Sequence, residues 1–197
     1  MQKDEIAGSY QLRGIMETAA GLELYPDGKF DFYYVYGAID RHAYGSWEIS
    51  NEQIILNSLY TDKTGYDILL SEQRTQPRFT IYFPKADPFF ISMQGAFAIN
   101  GDQAEEQKSD KKGWFLFQTG KAERIMLSND LFPDRMITIE NKDTSHNHIE
   151  LAPNHDLLLI HFTAVEATMT EDVLHLNSGF LKGMYGDRDF KFYKVAH

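Results

Sequence analysis

The chain reads as an all-β protein, on three observations. Between Gly8 and Leu56 aromatic and aliphatic residues alternate with polar ones at the period of two expected of a half-buried strand. Short apolar runs then recur to the end of the chain, separated by glycine, proline and asparagine turn signals. Six prolines and fourteen glycines punctuate the 197 residues, and no long Ala, Leu, Glu and Lys run marks a helix. With 14 Phe, 11 Tyr and 2 Trp against 24% charged residues, the composition is that of a globular chain able to bury a substantial core.

The first stretch, GSYQLRGIMETAAGLELYPDGKFDFYYVYGAIDRHAYGSWEISNEQIIL, reads as a five-stranded antiparallel meander. Tyr10, Leu12 and Met16 share a face with Gly14, and a turn at Ala19–Gly21 leads into Gly21–Tyr25. Pro26-Asp27-Gly28 is a tight-turn signal, because proline presets its own φ and glycine tolerates a positive one. In the strand that follows, Phe30, Phe32, Tyr34 and Tyr36 point one way and Asp31, Tyr33 and Val35 the other. Beyond a turn near Gly37–Asp40, Ala43, Gly45, Trp47 and Ile49 alternate with His42, Tyr44, Ser46 and Glu48, and Gln53–Asn57 supplies the fifth strand. Gly8-Ser9-Tyr10 and Gly45-Ser46-Trp47 each place a glycine and a spacer before an aromatic, which suits strong local bending. So aromatic a face must roll up with further strands or pack on a second layer.

The Gly-spacer-aromatic element within an up-and-down meander resembles the lipocalin-like barrels, with Tyr10 where their pattern has Trp. The run GLELYPDGKFDFYYVYGAIDRHAYGSWEI is similar, more narrowly, to the N-terminal region of a group of uncharacterised bacterial proteins. The resemblance implies a bacterial source and a barrel meander followed by a separate β segment and a closing hairpin. It carries no catalytic residue across.

From Thr61 to Pro77 the chain turns polar, which reads as a linker with a boundary near Gln76. A second β pattern then begins, with alternating Phe79, Ile81 and Phe83 and an apolar strand from Phe89 to Phe97. The charged stretch Asn100–Gly113 reads as a mobile loop, and Trp114–Gln118, Arg124–Leu127, Arg135–Glu140 and His148–Leu151 continue the strands. Such a series fits a small β-sandwich. Leu157–Thr163, Val173–Leu176, Gly179–Tyr185 and Phe190–Val195 look like closing strands of a barrel. Five strands rarely close a barrel alone, so the preferred layout is discontinuous. Residues 1–76 and 152–197 make the barrel and 77–151 an inserted sandwich, the alternative being two sequential domains cut near Gln76.

A formal net charge of −10 disfavours nucleic acid and anionic membrane surfaces as partners. The absence of cysteine excludes disulfides, thiolate metal sites and a cysteine nucleophile. No apolar run reaches the length of a membrane span, and MQKDEIAG lacks the apolar centre of a signal peptide. These features predict a cytoplasmic protein if the chain is full length and a periplasmic one if a leader was removed.

No phosphate loop, nucleophile elbow, HExxH, EF-hand loop or cysteine pair is present, so no catalytic residue and no cofactor is assigned. One stretch has ligand character: on an extended strand His146, His148 and Glu150 project to one side about 7 Å apart, a donor set suited to a divalent transition metal. The competing reading makes them the solvent face of an edge strand. The aromatic face raises a second possibility, a small apolar ligand held in the barrel by Tyr10, Phe32, Tyr34, Tyr36 and Trp47. Against it stands simple filling of a small barrel by its own side chains. Arg13, Glu17, Asp40, Arg41 and Glu48 read either as charges at the mouth of the barrel or as surface residues, the surface reading being preferred. The leading expectation is therefore a non-enzymatic binding protein for a small apolar ligand. A structural or protein-interaction β module and a metal-dependent activity at the His-x-His-x-Glu strand are the alternatives, and the oligomeric state is open.

Overall fold

A computed structural model describes residues 2–37, 39–59 and 65–195. The chain divides into two compact units, Met1–Thr61 with Leu158–His197, and Asp62–Leu157. The first begins with a single helical turn, α1 (Lys3–Ile6), and continues through β1 (Gly8–Leu12), β2 (Thr18–Leu24), β3 (Lys29–Tyr36), β4 (Ile39–Ser50) and β5 (Gln53–Ser58). The second contains β6 (Tyr66–Glu72), β7 (Thr80–Tyr82), α2 (Pro88–Ser92), β8 (Gln94–Asn100), β9 (Gln103–Lys108), β10 (Trp114–Leu116), β11 (Arg124–Asn129), β12 (Met136–Glu140) and β13 (His148–Pro153). The first unit resumes with β14 (Val165–Thr170), β15 (Val173–Asn177), α3 (Gly179–Tyr185) and β16 (Phe190–Lys194).

The first unit is a closed barrel of eight strands in the order β1-β16-β15-β14-β5-β4-β3-β2. Every neighbouring pair is antiparallel. Closure leaves no strand edge unpaired around the circumference. Alternation along the strands sorts the side chains into an inner and an outer set: Phe30, Phe32 and Tyr34 are buried while Lys29, Asp31 and Tyr33 are exposed. Two glycines mark places where the geometry admits little else. Gly8 has φ +144°, and a Cβ on Gly45 would lie 2.0 Å from the Asn57 carbonyl oxygen of β5.

Segments after the insertion complete the interior. Phe162 stacks on Phe30 with ring centroids 5.8 Å apart and lies 5.1 Å from Phe32. Phe192 of β16 meets Phe32 at 6.2 Å. Helix α3, capped by the Ser178 hydroxyl, adds Phe180 and Leu181 to the core and sets the Phe180 ring edge-on to Tyr34 at 4.9 Å. The sequence pattern predicted a strand over Gly179–Tyr185. Its two glycines hide a short helix whose cap is the preceding serine.

In the second unit two four-stranded sheets, β10-β7-β13-β6 and β12-β11-β8-β9, carry the buried faces. Phe79, Ile81, Phe115, Ile149 and Leu151 come from the first and its flanks, and Ala96, Ala98, Ile125, Leu127, Ile137 and Ile139 from the second. The Gln94 side chain is satisfied on all sides: it accepts from the Tyr66 hydroxyl at 2.8 Å and from Asn129 at 3.0 Å, and donates to the Gly95 and Ser128 carbonyls. This unit departs from the sequence pattern at three places. Part of the polar stretch read as a linker is strand β6, part of the Phe89–Phe97 strand is helix α2, and the loop from Asn100 to Gly113 contains strand β9. Among the described residues no helix is long and apolar enough to cross a membrane.

Candidate functional site

Of the residues expected to line a ligand cavity, Tyr10, Phe32, Tyr34 and Trp47 are buried in the barrel core, whereas Tyr36, at the end of β3, is exposed. Their polar tips are spoken for. The Tyr10 hydroxyl donates to the Ile6 carbonyl, and Trp47 Nε1 donates to the Tyr25 carbonyl at 2.9 Å. The Tyr34 hydroxyl shares a hydrogen bond of 2.7 Å with that of Tyr185, which in turn meets Thr18. Burial pushes the Tyr10 phenol up to about 12 and that of Tyr34 still higher, the Tyr185 hydrogen bond adding to the second shift. Both therefore act as neutral hydroxyls. Arg41, which the sequence suggested as a surface charge, is only 1% exposed. It donates to the Leu159 carbonyl at 3.2 Å and lies 4.8 Å from the Phe180 ring centroid.

The barrel wall presents a different surface outward. Register aligns Ser9, Glu23, Asp31 and Tyr44 across β1, β2, β3 and β4 in one outer row, and Gln11, Gly21, Tyr33 and His42 in the next. Between them runs the inward row Tyr10, Leu22, Phe32 and Ala43, whose backbone forms the floor of a cleft of about 500 Å³. Tyr25, Tyr33 and Tyr44 line this cleft and are 39%, 44% and 39% exposed. The Tyr33 ring lies over Gly21, so closely that a Cβ there would be 2.3 Å from its Cε1. The rings of Tyr44 and His42 stack at 6.3 Å.

Two carboxylates, Glu23 and Asp31, face each other directly across β2 and β3 within this cleft. Like charges in that position repel. Each accepts a neutral hydroxyl, Glu23 from Ser9 and Asp31 from Tyr25 at 2.8 Å. The bond to Asp31 raises the Tyr25 phenol above its ordinary value. Neither Lys nor Arg is among the residues that line the cleft. A second barrel cleft, of about 460 Å³, mixes acidic and basic groups, with His175 Nδ1 2.8 Å from Asp189 and Lys182 paired with Asp187 at 3.0 Å.

The His-x-His-x-Glu stretch splits in two. His148 and Glu150 lie on β13, where His148 Nδ1 is 2.8 Å from the Thr80 hydroxyl and Nε2 is 3.3 Å from Glu150 Oε1. Its side chain is fully buried beneath Trp114, which stacks on it at 5.5 Å and in turn carries Tyr82 at 4.2 Å. Burial holds the imidazole below its ordinary value, against the opposing pull of Glu150. In the neutral ring the carboxylate fixes the proton on Nε2, leaving Nδ1 to accept from Thr80. His146 precedes the strand. A turn closed by its own N–H on the Asp143 carbonyl sends its Nδ1 to the Ser71 hydroxyl at 2.9 Å and its Nε2 to Asp143 at 3.4 Å. His146 thus has partners separate from those of His148 and Glu150, and among the described residues no group of three or more His, Cys, Asp or Glu is placed to hold a metal ion.

The outer cleft was accessible to sequence reasoning only in pieces. The alternation that turns Phe32 inward also turns Asp31 and Tyr33 outward, but the pairing of Glu23 with Asp31 depends on the register of the hairpin around Asp27. Compared with known proteins, the chain matches no family model, no curated protein and no solved structure.

Proposed function

We propose that the protein is a non-enzymatic binding protein, a lipocalin-like barrel in architecture, that takes a small, largely apolar ligand on its outer wall and not in its interior. The observation that carries this reading is the gathering of three half-exposed tyrosine rings, Tyr25, Tyr33 and Tyr44, on one cleft of about 500 Å³. Such a volume with a few placed polar groups has the dimensions of a small-molecule site. The interior rings, by contrast, have one another as partners: Phe30, Phe32 and Tyr34 pack on Phe162, Phe192 and Phe180. An NMR titration with a set of aromatic and amphiphilic fragments tests the proposal. Amide shifts are expected to cluster on residues 21–25, 31–33 and 42–44, and to be lost in Tyr33→Ser and Tyr44→Ser. Shifts confined to the interior around Tyr34, or none in these strands, would overturn it.

A second reading, a protein-interaction module, is favoured by a separate observation. Strand β6 stands last in its sheet among the described strands and exposes Ile68 and Leu69. An edge of that kind can accept a partner strand. Sedimentation should then show association that is abolished by Leu69→Lys, and a concentration-independent monomer would exclude self-association through this edge.

A further inference from the structure

We infer that the outer cleft recognises a small organic cation of the ammonium type. The inference rests on the reading of that cleft as the binding site and adds the sign and chemistry of what it holds.

Three features of the cleft agree on a cation. Glu23 and Asp31 stand side by side on adjacent strands, an arrangement that works against the sheet unless something positive lies between or above them. Their present hydrogen-bond donors, the hydroxyls of Ser9 and Tyr25, are neutral and leave both charges uncompensated. The lining holds no Lys or Arg, and the histidine it does hold, His42, stacks on Tyr44. The barrel does pair charges elsewhere: Lys29 with Asp27 at 3.0 Å, Lys182 with Asp187 at 3.0 Å and Lys191 with Asp189 at 3.5 Å.

The tyrosines specify what kind of cation. A hydrated metal ion would want oxygen ligands converging from several sides, whereas this cleft sets three aromatic residues, Tyr25, Tyr33 and Tyr44, in the same lining as the carboxylates. The negative face of an aromatic ring attracts an ammonium group through its quadrupole, and exposed alkyl groups on the nitrogen gain contact area from the same ring. Tyr33 occupies the space over Gly21 that a side chain there would fill, so part of this wall is formed before ligand arrives. The space, about 500 Å³, suits a small molecule.

Isothermal titration calorimetry on the full chain tests the inference with three probes: choline, its neutral carbon isostere 3,3-dimethylbutan-1-ol, and a peptide bearing trimethyllysine. Choline is expected to bind, the isostere at least tenfold more weakly, and added salt to weaken choline alone. The Glu23→Gln/Asp31→Asn double variant, checked for folding by circular dichroism, should lower choline binding to the level of the isostere. Tyr33→Leu should weaken it while leaving both carboxylates in place. Equal binding of choline and the isostere would overturn the cation and leave the cleft as an apolar site. Binding of neither at millimolar concentration would overturn the cation and count equally against the cleft. Binding of the peptide alone would overturn the small-molecule source in favour of a modified protein chain.

Discussion

Strand β3 carries aromatic side chains on both faces and uses them in opposite ways. Facing inward, Phe30, Phe32 and Tyr34 are buried against Phe162, Phe180 and Phe192, partners delivered by residues beyond the inserted unit. Facing outward, Tyr33 lies over a glycine beside two uncompensated carboxylates and stays 44% exposed. An aromatic strand is therefore not in itself a ligand wall. What decides is whether other rings supply partners, and among the described residues of β3 it is Phe30, Phe32 and Tyr34 that have them. The inner set should govern stability and the outer set recognition.

The largest expected effect lies inside. Phe32→Ala removes a ring that touches both Phe162 and Phe192, and truncations of this kind cost about 3–5 kcal/mol through lost transfer energy and an unfilled cavity. Tyr33→Ala, one residue away on the exposed face, should change stability by no more than about 0.5 kcal/mol. The chain has two tryptophans, Trp47 in the barrel and Trp114 in the second unit. Denaturation followed by fluorescence in a Trp114→Phe background thus reports the barrel alone. Equal effects of the two substitutions would break the division between the faces.

Alkali should separate the faces next. The folded-state phenol of Tyr10 stands at about 12, above its ordinary value of 10.0, chiefly through burial. A group whose pKa is raised on folding contributes stability that is complete below the unfolded value. That contribution declines as pH climbs from about 10 to the folded value, by at most about 1.4 kcal/mol per pH unit for one phenol. Tyr34 is shifted in the same direction. Barrel stability should therefore fall above pH 10, and Tyr10→Phe should make the fall shallower. Urea midpoints across this range check the slope.

Two glycines sharpen the contrast. At Gly45 an added methyl would meet the backbone of Asn57 and Ser58, which cannot swing aside, so Gly45→Ala should cost about 1–3 kcal/mol as an overpacked site. At Gly21 the obstacle is the Tyr33 side chain, which can rotate into solvent. Gly21→Ala should leave thermal stability close to that of the parent while displacing the ring from the cleft, a change visible as altered Tyr33 aromatic resonances.

Much of this architecture was legible in the sequence because its period is two. The five strands from Gly8 to Leu56 and the inward set Phe30, Phe32, Tyr34 and Trp47 follow from alternation, although Ala19–Gly21, expected as a turn, lies within β2 and pairs with β3. Strand β9, QAEEQK, has no apolar face to reveal it and is held by pairing with β8. Helix α2 did carry a local signal, Asp87 as cap followed by Pro88, which the apolar run after it concealed. His146 was misplaced because the Asp143 turn ends the extended geometry before β13 begins. The burial of Arg41 is invisible in the sequence because it depends on tertiary contacts, those to Leu159 and Phe180 among them. The outer cleft falls between these cases. Its residues were visible singly, and their juxtaposition needed the register.

The smallest expected effect is also the one that bears most directly on the cleft. If Glu23 and Asp31 repel across β2 and β3 with no cation present, removing one charge should help the fold. Asp31→Asn keeps an oxygen for the Tyr25 hydroxyl and Glu23→Gln keeps one for Ser9, so each substitution deletes charge while retaining the hydrogen bond. A gain of a few tenths of a kcal/mol, up to about 1 kcal/mol, is the scale of a relieved cross-strand like-charge pair. The gain should shrink in high salt, where the repulsion is already screened. Choline at saturating concentration should reverse the order by stabilising the parent and not the variants, since a ligand that binds only the folded state adds its own binding free energy. Thermal melts of parent and variants at low salt, at high salt and with choline supply the comparison. A loss of stability in the low-salt variants would mean that the two carboxylates support the sheet instead of straining it, and would remove the physical ground for placing a cation between them.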